Sequence, residues 1–249
     1  SFSSGYNNTP SGDYSAAFGF ACLSAGDGSF ATGYDTKAYG DYSFAQGQNT
    51  TVSGTAAIGM GRAANSSGFA SVALGYHPTA TKAYAVALGY YCSASDTSAY
   101  ALGYQAVVSH KGSFLYADKS TTAAPLYSTT ENQFMVRAAG GTIFYSASDL
   151  STGVTLPAGG GAWASVSDST KKENIVQVDE MDILKKLKSI EVSEWNYKTQ
   201  DSSIRHIGPM AQDFYALFGF GESDTTITTI DIDGVNMADI PPLVFHFRA

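Results

Sequence analysis

Seven glycines, Gly19, Gly33, Gly47, Gly61, Gly75, Gly89 and Gly103, stand 14 residues apart without a slip. Two places ahead of them stand Ala17, Ala31, Ala45, Gly59, Ala73, Ala87 and Ala101. Four places ahead stand Ser15, Ser29, Ser43, Ala57, Ser71, Ala85 and Ala99. A second glycine marks the half-period at Gly12, Gly26, Gly40, Gly54 and Gly68, and Lys82 and Asp96 replace it in the last two copies. Such self-similarity means that each copy is one structural unit stacked on its neighbours.

A seven-residue half-period could suggest a coiled coil, but heptads need apolar a and d positions in good helix formers. A glycine every seven residues would cost a helix about 1 kcal/mol each time. Strands separated by tight glycine turns fit instead, because glycine admits positive φ. Along Ser-x-Ala-x-Gly the small residues share one side of a strand. Phe30/Thr32, Phe44/Gln46, Ile58/Met60, Val72/Leu74, Val86/Leu88 and Tyr100/Leu102 take the other. The pattern predicts a narrow solenoid with its small residues inside. Its bulky face is left for another surface, so self-association is expected.

Charge divides the chain. Of 22 acids and 14 bases, only five and three lie in the first 110 residues, which also hold 15 of the 26 glycines. Two domains of different kinds are expected. The net charge of −8 disfavours a nucleic-acid partner held by a broad basic surface. No apolar run approaches the ~20 residues of a membrane helix, so no membrane insertion is expected. The chain begins at Ser1 without a Met or a signal peptide, as a portion of something longer would.

Cys22 and Cys92 occupy the same repeat position five rungs apart, roughly 24 Å at ~4.8 Å per rung, beyond disulfide reach. They read as small buried residues. Lys82 and Asp96 become vertical neighbours and read as a solvated pair. Asp27 and Asp41 fit turns, since the nonapeptide calcium pattern is absent. Tyr34, Tyr76, Tyr90 and Tyr104 could stack on sugar rings or pack within the solenoid. No motif calls for a cofactor or a metal.

Segments such as SVALGYHPTATKAYAVALGY (71–90) resemble the head repeats of trimeric autotransporter (YadA-like) adhesins. The resemblance spans roughly residues 12–108. It implies a left-handed parallel β-roll of 14-residue rungs, three copies packed about a common axis. Seven rungs would make a rod roughly 33 Å long at ~4.8 Å each. The head is therefore assigned to residues 1–108, and the fold class is mainly β.

Residues 109–166 lose the period and read as a β-rich connector. GSFLYAD (112–118) and NQFMVRAAGGTIFYS (132–146) alternate as strands do, with KSTTAAPLYSTTE (119–131) as a loop. STGVTLPAGGGAW (151–163) reads as a Gly/Pro linker. His110 and Arg137 show no partner pattern and default to surface or packing roles.

Residues 167–249 read as a small α+β module. A polar turn, SDSTKKENI (167–175), leads to an amphipathic helix near 179–190 with Ile183, Leu184, Leu187 and Ile190 on one stripe. A strand over 192–197, a helix around 210–218 and strand-like TTITTIDIDG (225–234) follow. His206 reads as a packing or hydrogen-bonding residue, because no triad or zinc spacing accompanies it. Asp231 and Asp233 read as turn residues.

SDSTKKENI, then RHIGPMAQDFYALFGFG (205–221), then TTIDIDGVNMADI (228–240) resemble, in order, the endosialidase-type intramolecular chaperones at the C-termini of phage tail spikes and fibres. Those domains help three chains assemble and then cut themselves off. The resemblance implies Ser167 as nucleophile, Lys172 as its base, a supporting role for Asp168, and a cut between Val166 and Ser167. This chain has Ser169-Thr170 where the family often has Arg. Pro241-Pro242 and LVFHFRA stand where the family continues into a long helix, so that helix is expected to be missing or replaced.

Together the resemblances imply a homotrimeric fibre, on a phage tail or a bacterial surface, that attaches to an unknown receptor or glycan. An alternative is the C-terminal part of a tail-spike enzyme, whose glycan-cleaving domain would lie upstream. A membrane-anchored adhesin would show ~10-residue alternating barrel strands, and none appear in these residues.

Overall fold

A computed structural model describes residues 1–238. The chain forms two compact units, one spanning Ser1–Ser167 and one beginning at Asp168. The first is a parallel β-solenoid followed by a short antiparallel sheet.

One solenoid sheet is built from ten strands, the five-residue Phe2–Tyr6 first and Phe134–Arg137 last. The other contains nine short strands, from Thr9–Pro10 to Leu126–Tyr127. Pairing is parallel and in register at the repeat period: Val72 faces Val86, Ala73 faces Ala87 and Gly75 faces Gly89. Each side chain therefore stacks on the equivalent residue of the next rung.

The small residues line the interior, as the alternation predicts. Ala17, Ala31, Ala45, Ala73, Ala87 and Ala101 are completely buried. Cys22, Thr36, Thr50 and Cys92 form another inward file. Thr36 and Thr50 donate to the carbonyls of Gly47 and Gly61, both at 3.1 Å, and the Cys22 and Cys92 thiols do the same to Gly33 and Gly103 at 3.3 Å. Each cysteine thus substitutes for a threonine. Both are free, and burial pushes the Cys92 thiol above its ordinary range.

The turns differ from the expectation of glycine at positive φ. Left-handed residues recur every seven positions, including Tyr42 (φ 56°), Ala56 (55°), Ala70 (49°) and His77 (53°). Each costs roughly 1–2 kcal/mol in isolation. The neighbouring rung holds them: Tyr42 donates its N–H to Asp27 at 2.7 Å, and His77 donates to Arg62 at 2.9 Å. The half-period glycines serve close approach instead. A Cβ on Gly26 would strike the Gly40 carbonyl of the next rung. Gly75 meets both demands, at φ +125° with its missing Cβ aimed at the Gly89 carbonyl.

Parallel pairing continues past residue 108. Tyr100 pairs with Phe114 at the usual spacing, but Phe114 pairs with Phe134, six residues beyond it. The extra residues lie in the segment after Ala117, and Leu126–Tyr127 rejoin the short-strand sheet against Ala106 and Val107. Asp118 fastens this wider turn. Its carboxylate accepts from the Ser120 hydroxyl (2.6 Å), Ala139 N–H (2.6 Å) and Arg137 Nε (3.1 Å). These donors, Ser120 foremost, lower its pKa to about 2. The Gly/Pro segment also contributes a strand: Gly141–Tyr145, Gly153–Pro157 and Ala164–Ser165 make a three-stranded antiparallel sheet.

The second unit has helices α1 (Glu180–Leu187), α2 (Ala211–Phe218) and α3 (Thr229–Ala238) around Ile183, Phe214, Phe218 and Val235. Asp179 caps α1 by accepting from the Met181 and Asp182 amides, and Gly219 ends α2 at φ 69°. Ser193–Trp195 and His206–Gly208 pair antiparallel. The expected strand at 225–234 is absent: residues 225–228 form a turn and irregular segment, and 229–234 belong to α3. Thr228 accepts from the Asp231 amide at 3.1 Å and donates to its carboxylate at 2.7 Å, a reciprocal cap that starts a helix. Ile232 and Val235, three apart, then face the core together. The departure at Pro241-Pro242 lies outside the described residues.

Candidate functional site

The last connector strand ends at Ser165, and the Val166 amide donates to the Gly153 carbonyl at 3.3 Å. Ser167 closes the first unit and Asp168 opens the second. Asp168 is extended (φ −68°, ψ 128°) and caps a single 3₁₀ turn over Ser169–Lys171. Its carboxylate accepts the Thr170 N–H at 2.9 Å, which holds its pKa below the usual carboxylate range. Lys171 and Lys172 donate their amides to Asp168 (3.0 Å) and Ser169 (3.2 Å), so the turn closes on itself. Residues 167–172 are all exposed.

This polar turn contains three hydroxyls (Ser167, Ser169 and Thr170), a capping carboxylate and two adjacent lysines within six residues. A serine hydroxyl needs a base, and a lysine serves as one only when neutral. Cavities of about 450 and 240 Å³ lie within the second unit. The larger is lined by Trp195, Tyr197, Pro209, Met210 and Gln212 among others, the smaller by Val178, Ile183, Phe220 and Val235 among others. Neither Ser167 nor Lys172 lines them.

The other candidates resolve into structure. His206 Nε2 lies 2.8 Å from Gln200 Oε1, and its ring packs on Trp195 at 4.7 Å. Asp231 belongs to the α3 cap rather than to a turn. His110 pairs with Ser128 at 2.7 Å, and Arg137 belongs to the Asp118 network. Among the described residues, no group of three or more His, Cys, Asp or Glu side chains is placed to hold a metal ion.

The repeating tyrosines stack on one another. Tyr76 lies 5.1 Å from Tyr90, and Tyr90 lies 4.7 Å from Tyr104, both near parallel. Arg62 sits over Tyr76 and Lys119 over Tyr104, at 5.4 and 5.7 Å. Tyr76, Tyr90 and Tyr104 are thus stacked within the solenoid, while the half-exposed Tyr34 stacks on Phe20 at 5.0 Å.

Two families match along the chain. Residues 24–50 and 66–91 match two copies of the YadA head domain repeat, and residues 167–220 match the chaperone of endosialidase. YadA head repeats come first and the endosialidase chaperone follows. No curated protein and no solved structure matches the chain. The two YadA head matches leave out residues 51–65, where Ala57 and Gly59 replace the Ser and Ala of the repeat. The endosialidase chaperone match starts at Ser167 and ends just after α2, so α3 lies beyond it.

Proposed function

We propose that the chain is part of a homotrimeric fibre, exposed on a virion tail or a cell surface, that attaches to a surface and assembles with the help of its C-terminal module. Two families in this order, a head repeat and an assembly chaperone, support that reading. Three copies of a rod turn weak contacts into avidity. A dedicated assembly module suits a parallel β fold, whose nonlocal pairing is slow and whose exposed edges aggregate. Among the described residues, no helix is long and apolar enough to cross a membrane.

The module then severs itself between Val166 and Ser167. Ser167 Oγ attacks the Val166 carbonyl carbon while Lys172 accepts the hydroxyl proton. The peptide C–N bond breaks, the Ser167 nitrogen takes a proton, and an ester joins Val166 to Ser167 Oγ. Water hydrolyses that ester, leaving a Val166 carboxylate and a new N-terminus at Ser167. Asp168 holds the turn between the two groups. One observation carries this reading: the chaperone match begins at Ser167, the residue at which the compact units divide.

Expression of the full chain tests the mechanism by denaturing gel and intact mass. The native chain yields a fragment ending at Val166. Ser167→Ala abolishes that fragment, and Lys172→Ala slows its appearance by about 10²–10⁴-fold, the usual contribution of a general base. A native chain that stays whole on prolonged incubation overturns self-cleavage. A stable monomer by light scattering overturns the trimer.

A further inference from the structure

The connector sheet presents two apolar faces. Register places Phe144 against Val154, and Val154 against Ser165. Phe144, Val154, Leu156 and Trp163 therefore share one face, with Phe144 and Trp163 ring centroids 5.7 Å apart. Ile143, Tyr145 and Val166 belong to the other by alternation. Ile143, Phe144, Tyr145 and Trp163 are each at least 50% exposed in the single chain, and Val166 is 41% exposed. Asp149 is the charged residue of segment 141–166, and it lies between strands. A sheet bordering water ordinarily has one polar face. Three short strands with two uncovered apolar faces are not stable alone.

We infer that this sheet is a trimer clamp, each copy covered on both faces by the equivalent sheets of two other copies. The inference rests on the trimer proposed above. Two unlike faces require a heterologous contact, face one of a copy on face two of the next, and a closed ring satisfies every face. A twofold dimer with one self-complementary contact would cover one face and leave the other in water. The bulky side of the solenoid leads into this sheet, since Phe134 (68% exposed) and Val136 (39%) precede it by a few residues. The clamp also lies wholly upstream of Ser167. It therefore stays with the fibre after cleavage and holds the three chains once the chaperone has left.

Two measurements on the full chain test this. In Trp195→Phe, Trp163 is the remaining tryptophan, and light scattering establishes the oligomer in the same sample. A trimer whose Trp163 emission is blue-shifted and resists iodide quenching is expected. The Ile143→Cys/Phe144→Cys chain, treated with a short bismaleimide, should run as a trimer on a denaturing gel. The native cysteines are buried and contribute little background. A trimer with freely quenched Trp163, or with crosslinks confined to single chains, overturns the clamp and leaves the fibre reading intact. A monomer overturns both.

Discussion

Ser43 and Ser71 hold the same repeat position two rungs apart, and their hydroxyls have different fates. Ser71 donates to the Gly68 carbonyl at 2.8 Å and meets Ser66 at 2.7 Å, whereas the buried Ser43 hydroxyl has no hydrogen-bond partner. Ala38 stands opposite Ser43 where other rungs place Ser24 or Ser66, so Ser43 lacks the serine partner that Ser29 and Ser71 have. Ser43→Ala should therefore be neutral or stabilising, while Ser71→Ala costs about 1–3 kcal/mol by leaving Ser66 less satisfied. Chemical denaturation of the two variants checks the contrast. A second contrast lies in rung volume. A Cβ on Gly59 would clash with Val52 Cγ2, so the missing methyl of one file makes room for the larger side chain of another. Gly59→Ala should destabilise by about 1–3 kcal/mol, and Val52→Ala should recover part of that loss in the double variant. Purely additive effects would show that the two sites do not share this space.

At the scale of elements, the wider turn after Ala117 depends on one carboxylate. Its folded pKa of about 2 lies below the ordinary aspartate value, so the Asp118 network contributes stability above the unfolded range. That contribution disappears as pH falls towards 2. Asp118→Asn should lower the melting temperature at pH 6, and the gap to the native chain should close as pH falls from 4 to about 2. A gap independent of pH would show that the carboxylate charge plays no part. Helix α3 shows how an element can be misread. Thr and Ile in TTITTIDIDG favour strand by propensity, but Thr228 and Asp231 three apart form a cap, and Ile232 and Val235 reach the core only on a helix. The Thr-x-x-Asp spacing was visible in the sequence, and its contest with β-branched propensity was settled by packing against Ile183 and Phe214.

Across the whole molecule, the shortage of charge belongs to the solenoid. Residues 1–166 contain eight acids and six bases, a net charge of −2, while the full chain is at −8. If the chaperone is released, the fibre fragment should elute from an anion exchanger well before the uncleaved Ser167→Ala chain. Co-elution of the two would show that the acidic module remains bound. The prediction belongs at this scale because no single rung shows the imbalance.

The 14-residue period by itself determined the parallel pairing, the register and the inward files, because a strict repeat admits one stacking in which like meets like. Ser167, Asp168 and Lys172 became candidates through the resemblance of three ordered motifs to endosialidase-type chaperones. Tertiary structure decided what no local pattern encodes. Left-handed backbone at Tyr42 or His77 is unfavourable for the residue alone and is held by a carbonyl 15 positions earlier in the chain. The solenoid's continuation through Phe134 depends on an Asp118–Arg137 contact across 19 residues. The two apolar faces of the connector sheet emerged only when antiparallel pairing set Phe144 beside Val154, turning a Gly/Pro stretch into a strand. Repetition is local information, and these features arise where distant residues meet.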